Sequence, residues 1–262
     1  MKLATFNVNS IRARVQILEK WLCEVEPDLL FMQELKCKNE FFPEIFFKSL
    51  GYSSYFNGEK SYNGVGVLVK NNLNPDKIKI NFGFDDESFM TRVLNFELNN
   101  NENNLKILCT YVPQGKSVGH EDFIIKKEFF KQVKNIIQDN LNLNNNFIWL
   151  GDLNVAPEFE DVTNPENKKD HVCFCAEIRE IFKNTREGLT DIFRQFNKNP
   201  DEYTFYDYRV PNAVARKIGW RIDHILASKN LIKKFKSCYI DLRPRLWEKP
   251  SDHVPLIAEI NL

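Results

Sequence analysis

The chain has 262 residues, 43% of them hydrophobic and 13% aromatic with 22 Phe, which is ample material for a packed core and too much for a disordered tail. Lys plus Arg equals Asp plus Glu at 36 each, so net charge argues for no anionic partner, and any basic binding face must be local. The six cysteines lack zinc-finger spacing and read as reduced thiols; no apolar run has the length of a membrane span, and residues 1–7 lack a signal-peptide stretch, so the expectation is a cytoplasmic chain with no membrane partner.

Residues 2–8 read as a short buried strand, after which Ile11, Val15, Leu18 and Leu22 recur at helical spacing until Pro27 stops them. A second strand is expected at 28–33, then strands at 65–70, 92–98, 105–112 and 147–150, with a helix at about 121–139 between the last two. A further helix is expected over 176–186, ended by Gly188, and late strands over 220–227 and 254–260. Strand, helix, strand is the opening of an α/β domain, and with no linker composition or repeat in view, residues 1–262 read as one domain. Two Asn-rich stretches, Asn99 to Asn104 and Asn140 to Asn146, are expected to be loops.

Several of these strands end abruptly in acids or amides: Phe6-Asn7, Met32-Gln33-Glu34 and Trp149-Leu150-Gly151-Asp152-Leu153-Asn154. Strand ends are where sites collect. Ser251-Asp252-His253 instead precedes a strand, so it joins the same rim if that strand runs antiparallel to the others. Such a rim gathers Asn7, Glu34, Asp152, Asn154, Asp252 and His253, with Asp223 arriving from Trp220-Arg221-Ile222-Asp223. That composition suits a hard cation and a phosphate. Magnesium takes oxygen ligands and keeps several waters, so Glu34 and Asp252 suffice to hold it. Asp152 is the candidate for handling the proton of a water, and His253 oriented by Asp223 suits contact with a phosphate oxygen, with Asn7, Asn154 and Tyr111 as neutral donors. Singly, each has a plain alternative: Gly-Asp-x-Asn is a common turn, Glu34 could open a surface helix, and Asp252 could be a cap. Independent structural roles do not require five strand termini to carry one complementary set.

On these residues the sequence resembles the exonuclease III and AP endonuclease branch of the endonuclease/exonuclease/phosphatase superfamily, nearly end to end. The resemblance is carried by Phe6-Asn7-Val8-Asn9-Ser10-Ile11-Arg12-Ala13, Gln33-Glu34-Leu35-Lys36, Tyr111-Val112-Pro113-Gln114-Gly115, Gly151-Asp152-Leu153-Asn154-Val155-Ala156-Pro157, Gly219-Trp220-Arg221-Ile222-Asp223 and Ser251-Asp252-His253. It implies an α/β four-layer αββα sandwich of two mixed β-sheets flanked by helices, DNase I-like, with the site at one edge. It also implies Glu34 as the principal metal ligand with Asn9 and Asp252 nearby, and Asn7, Tyr111, Asp152, Asn154, Asp223 and His253 as the catalytic set, with Asn7, Asp152 and Asn154 also bordering the metal.

The superfamily includes deoxyribonucleases, deadenylases and inositol-phosphate phosphatases, so the rim alone fixes only phosphoester hydrolysis. Substrate is implied by Phe205, Trp220 and Ile222, which match a pocket for a flipped-out baseless sugar. A nucleotide without its base has little stacking to lose, so extrusion is cheap. Arg92, Gln114 and Arg209 match positions that contact or wedge into DNA. The resemblance therefore implies a monomeric, magnesium-dependent enzyme, with manganese as substitute, that cuts duplex DNA 5′ to abasic sites and trims blocked 3′ ends in base excision repair. The rivals are a superfamily hydrolase acting on RNA or a soluble phosphoester, and a non-catalytic DNA-binding protein. The match weakens over 161–180, where Phe174-Cys175-Ala176-Glu177-Ile178-Arg179 departs from the family pattern and His171 has no assigned role.

Overall fold

A computed structural model describes residues 1–85, 87–99 and 104–262. The first half of the chain forms β1 (Lys2–Asn7), α1 (Val15–Val25), β2 (Leu29–Gln33), α2 (Glu44–Ser49), β3 (Tyr52–Asn57), β4 (Val65–Lys70), β5 (Ile78–Phe82), β6 (Val93–Leu98) and β7 (Leu105–Tyr111). The second half forms α3 (Glu121–Asn142), β8 (Asn146–Asp152), α4 (Ala176–Thr185), β9 (Leu189–Asp191), α5 (Ile192–Phe196), β10 (Asp223–Ser228), α6 (Lys229–Ile232), β11 (Phe235–Ile240) and β12 (Leu256–Ile260). The strands make two six-stranded mixed sheets, ordered β11-β12-β1-β2-β4-β3 and β5-β6-β7-β8-β10-β9. Parallel pairing occurs at β1 with β2 and at β7 with β8.

Alternation along the strands builds four layers. In β1, Leu3 faces the cluster between the sheets while Ala4 and Phe6 face the cluster under α1 and α2; in β8, Ile148 and Leu150 face inward while Phe147 and Trp149 face α3 and α4. Both faces are covered, so these strands are apolar nearly throughout, and each large side chain withdrawn from water contributes about 1.5–3 kcal/mol. Among the described residues no helix is long and apolar enough to cross a membrane.

Three expected boundaries move, each for a local reason. The first helix starts at Val15 rather than Ile11, because Asn9 and Ser10 adopt left-handed φ values of 42° and 88° and the Ile11 N–H is committed to the Leu35 carbonyl. It ends at Glu26, left-handed, just before Pro27. Only 143–145 of the Asn140 to Asn146 stretch are loop: α3 runs through Asn142, with the Asn140 amide donating back to the Ile136 carbonyl at 2.8 Å, and β8 starts at Asn146. Trp220 lies outside the late strand, which begins at Asp223, because the Trp220 backbone pairs with Phe205 rather than with β8. The Asn99 to Asn104 stretch falls largely on residues 100–103, which lie outside the described residues. The expected antiparallel final strand is present as β12 against β1.

Candidate active site

The sheet order brings the carboxyl ends of β1, β2, β7 and β8 to one rim, and the antiparallel β10 and β12 contribute their beginnings. Register pairs Asn7 with Gln33, Tyr111 with Asp152, and Asp223 with Asp152. Gly151 is needed there: at φ 130° its missing Cβ would sit 2.1 Å from the Thr110 carbonyl oxygen, so only glycine lets β8 pass β7 and present Asp152. Glu34, Lys36, Asn9 and Asn154 all have positive φ, a conformation costly for side chains other than Asn and held here by hydrogen bonds. Leu35 and Lys36 donate to the carbonyls of Gly64 and Asn63, while the Glu34 carbonyl accepts from Ser10.

The buried Asn7 amide is a bracket. Its Nδ2 donates to Glu34 Oε1 and to Asp152 Oδ2, both at 2.8 Å, and its Oδ1 accepts from the Asn9 N–H. Ser251 Oγ donates to the Asn7 carbonyl and accepts the His253 N–H, which locks the 251–253 turn onto β1. His253 Nδ1 donates to Asp223 Oδ2 at 2.8 Å, and its Nε2 lies 3.7 Å from Asp152 Oδ2. Asp223 Oδ1 is buried and has no hydrogen-bond partner among the described residues, so its charge is directed mainly at the imidazole. Asn9 Nδ2 donates to Asp252 Oδ1 at 2.9 Å, bringing that acid to the same edge. The ligand atoms of Glu34, Asp152 and His253 lie within 4.8 Å of one another.

Burial sets the electrostatics. It pushes the Asp152 carboxyl up, and with Asp223 and Glu34 adding to it the result stays above the usual carboxylate range despite His253 nearby. Burial works against charge on His253, yet Asp223 and Asp152 hold its proton affinity well above the ordinary histidine value. Burial would raise Glu34 too, but Lys36, 2.6 Å away, and the Asn7 amide hold it below. The Tyr111 phenol is pushed well up by burial and by Glu34 and Asp152, so it is a neutral donor across ordinary pH. Arg92 covers the Tyr111 ring at 4.6 Å and donates to its carbonyl at 3.1 Å.

These residues fit a divalent cation. Four carboxylates, from Glu34, Asp152, Asp223 and Asp252, face two cationic groups, Lys36 and charged His253, so the cluster is short of positive charge. An imidazole that keeps its proton does not ligate, which leaves carboxylate oxygens as donors, the set a hard ion takes.

A cavity of about 700 Å³ opens from this cluster. Tyr111, Gln114, Asn154, Phe205, Arg209, Trp220, Ile222 and Asp252 reach it, as do Glu34, Asp152 and His253. Asn7, Asn9 and Asp223 stand behind and act through hydrogen bonds. Arg92 lies on a second cavity of about 540 Å³ that shares Glu34, Tyr111 and Gln114. Phe205 and Trp220 pack on Ala156, Val162, Phe174 and Ile222, and Phe205 meets the His253 ring edge at 5.0 Å, so the apolar wall adjoins the polar rim. The Arg209 guanidinium is held by Asp207 of its own turn through three hydrogen bonds, and its backbone N–H donates to the same carboxylate. One N–H of the Asn154 Nδ2 holds the Val112 carbonyl at 2.9 Å, and the amide has a second N–H beside the cavity it lines.

Two contributors carry no assigned role in the sequence reading. Lys36 Nζ bridges Glu34 and Asn9, at 2.6 and 2.5 Å. Lys126, fully buried, donates to the carbonyls of Gln114, Asn154 and Val172 and ties three cavity segments together. Its signal was legible: a lysine in the apolar stripe of Phe123, Phe129, Phe130 and Val133.

A model of the endonuclease/exonuclease/phosphatase family matches residues 4–253. The chain is 33% identical over 268 residues to an exodeoxyribonuclease III of Haemophilus influenzae, covering 99% of each. Its fold superposes with TM-score 0.91 on an AP endonuclease from Archaeoglobus fulgidus, at 39% identity and 100% coverage of both chains. The same score is reached with a 3′ phosphatase from Neisseria bound to a product DNA hairpin, at 30% identity and 100% coverage of both.

Proposed function

Since the chain belongs to the endonuclease/exonuclease/phosphatase family, we propose that it is a DNA-repair nuclease that uses magnesium, or manganese in its place, to hydrolyse the phosphodiester 5′ to an abasic site. The product is a 3′-hydroxyl, and the same centre trims 3′-blocked ends and digests 3′ to 5′. We take the whole chain as one catalytic unit, a cytoplasmic monomer acting on duplex DNA. The observation that carries this reading is the Glu34, Asp152 and His253 triangle opening directly onto the apolar wall of Phe205, Trp220 and Ile222.

A bound magnesium would supply Lewis-acid polarisation of the phosphate and cancel the excess negative charge. Glu34 and Asp252 would hold it, with Asn9 and Asp152 at its border. Everything else falls to the side chains of this chain. His253, kept charged by Asp223, donates to a phosphate oxygen as charge builds there, and Tyr111 adds a neutral O–H. Asp152, with its proton affinity raised, handles the proton: it takes one from the attacking water or delivers one to the departing 3′-oxygen. Water oxygen bonds to phosphorus, the bond from phosphorus to the 3′-oxygen breaks, and that oxygen leaves as hydroxyl. Asn7 keeps Glu34 and Asp152 at fixed separation throughout. Trp220, Phe205 and Ile222 seat the baseless sugar.

The test is one labelled duplex with a central abasic analogue, incubated with magnesium, manganese or chelator beside single-stranded RNA and an inositol phosphate. The expected result is metal-dependent cutting 5′ to the lesion with the other two substrates spared. Faster cleavage of RNA or inositol phosphate, or cutting that survives chelator, overturns the reading.

A further inference from the structure

Segment 204–208 runs alongside 250–254, the turn that carries Asp252 and His253. The Val254 N–H donates to the Thr204 carbonyl at 2.8 Å, Phe205 bridges to His253, and the Tyr206 N–H donates to the Asp252 carbonyl at 2.7 Å. The ladder stops there because the chain turns at Asp207, whose carbonyl accepts from the Val210 N–H at 3.1 Å. The next carbonyl in line, that of Pro250, is taken by a side chain instead: the Tyr208 hydroxyl donates to it at 2.7 Å. The same hydroxyl accepts from Arg14 Nη2 at 3.0 Å. A phenol has one proton and a carbonyl can only accept, so the direction of both bonds is fixed. Arg245 backs the arrangement, with its guanidinium 5.2 Å from the centre of the Tyr208 ring and its Nη2 donating to the Tyr206 carbonyl at 3.2 Å.

These contacts close a ring around the metal edge. Arg14 ends the turn that begins with the left-handed Asn9 and Ser10, and its N–H bonds to the Ile11 carbonyl at 3.1 Å. Pro250 opens the turn that leads through Ser251 to Asp252. The two turns meet a second time where Asn9 Nδ2 donates to Asp252 Oδ1 at 2.9 Å. Both side-chain hydrogen bonds of Asp252 fall on Oδ1, from Asn9 and from Ser251, so Oδ2 has none among the described residues. Tyr208 itself lines the main cavity beside Asp252 and is 47% exposed. A hydroxyl that merely capped a surface carbonyl could be replaced by water, but this one joins residue 14 to residue 250. Magnesium demands near-ideal octahedral geometry from the few protein oxygens that hold it, so the placement of those oxygens sets how well it binds. We propose that Tyr208 is a positioning residue for the metal: its hydroxyl clasps the two turns that carry Asn9 and Asp252 and so tightens divalent-ion binding. The inference rests on the reading that Asp252 holds the ion with Asn9 at its border.

The experiment is calorimetric titration of magnesium, and separately of manganese, into metal-free protein. Tyr208→Phe removes only the hydroxyl and should weaken both ions by about five-fold, within the net worth of one hydrogen bond. The magnesium concentration giving half-maximal cleavage of the abasic duplex should rise by the same factor. Arg14→Lys keeps the charge but withdraws the planar donor, and should weaken binding by about two-fold. The double variant should bind no more weakly than Tyr208→Phe, because a ring already cut at the hydroxyl has nothing further to lose. Tyr52→Phe is the control: it too loses a tyrosine bond to a proline carbonyl, that of Pro27 at 3.0 Å, at the end of β2 remote from Glu34. That variant should unfold at lower urea with ion affinity unchanged. Unaltered affinity in Tyr208→Phe, an equal loss in Tyr52→Phe, or losses that multiply in the double variant overturns the inference. Asp252→Asn separates it from the reading beneath. If Asp252→Asn weakens the ion and Tyr208→Phe does not, the inference alone falls; if Tyr208→Phe weakens it and Asp252→Asn does not, the assignment of Asp252 falls and the clasp acts through Asn9.

Discussion

Two buried polar clusters sit on β8 and β10, and their difference separates support from chemistry. Behind the cavity, Arg221 donates to Asp161 at 2.7 and 2.9 Å and pairs with Asp191 at 2.8 Å, and Arg194 closes on Asp161. His224 accepts from Arg221 at Nδ1 and donates from Nε2 to the Val155 carbonyl, so the knot grips the end of the β8 segment. There two guanidinium groups meet two carboxylates and charge is matched. At the rim, four carboxylates meet two cations. Burial alone would push Asp161 and Asp191 up, but Arg221 overrules it and both fall below the usual range, whereas Asp152 ends above it. Equal burial gives opposite outcomes, and the unmatched cluster is the one with work left to do.

The largest expected effect breaks the matched cluster. Arg221→Met takes the guanidinium partner from Asp191 and leaves Asp161 with Arg194 alone, and should cost about 3–5 kcal/mol of stability in urea unfolding, the usual range for removing one partner of a buried pair. A loss under about 1 kcal/mol would mean that the knot is not what holds β10 to the 158–161 segment. At the rim the asymmetry reverses. Asp152→Asn removes a charge that already resists burial, so stability should hold or rise while turnover falls at least roughly 100-fold, the scale of lost acid-base assistance. Unchanged turnover would remove Asp152 from the mechanism.

Much of this contrast was legible beforehand, and the omissions have a physical pattern. The strands read from the sequence are those covered on both sides, where Leu3, Phe31, Ile107 and Ile148 leave long apolar runs. The four that went unread, β3, β5, β9 and β11, are the edges of the two sheets, half-exposed or only three residues long, where periodicity has little burial to record. The rim acids were legible because five strand ends share one chemistry. Lys36 was not, since a lysine two residues from a glutamate reads as a solvated pair, and only the left-handed backbone at Glu34 and Lys36 turns both into one cluster.

Titration should sharpen the comparison further, because Asp161 and Asp191 respond to pH with the opposite sign to His253. Asp161 and Asp191 have folded values below their unfolded ones, so their stabilisation is complete above about pH 4 and is lost as pH falls through the folded values. His253 has a raised folded value, so its contribution is complete below about pH 6.5 and is lost as pH rises through that value. Unfolding free energies measured from acid to alkaline pH should therefore show Asp161→Asn flattening the acid limb and His253→Gln the alkaline one. The same limb flattened by both variants would deny the division.

The smallest effect concerns a partly exposed cation at the rim. Lys36 is 30% exposed in its side chain and supplies part of the positive charge that Glu34 requires, so an ammonium and a divalent ion compete for the same carboxylate. A partly exposed pair is worth up to about 1 kcal/mol, which sets the size of the competition. Lys36→Met should accordingly tighten magnesium or manganese binding by up to about five-fold, read by calorimetric titration of the metal into metal-free protein. Weaker binding in that variant would mean Lys36 acts by holding the Glu34 backbone and Asn9 in position, so that losing the bridge costs more geometry than it frees charge.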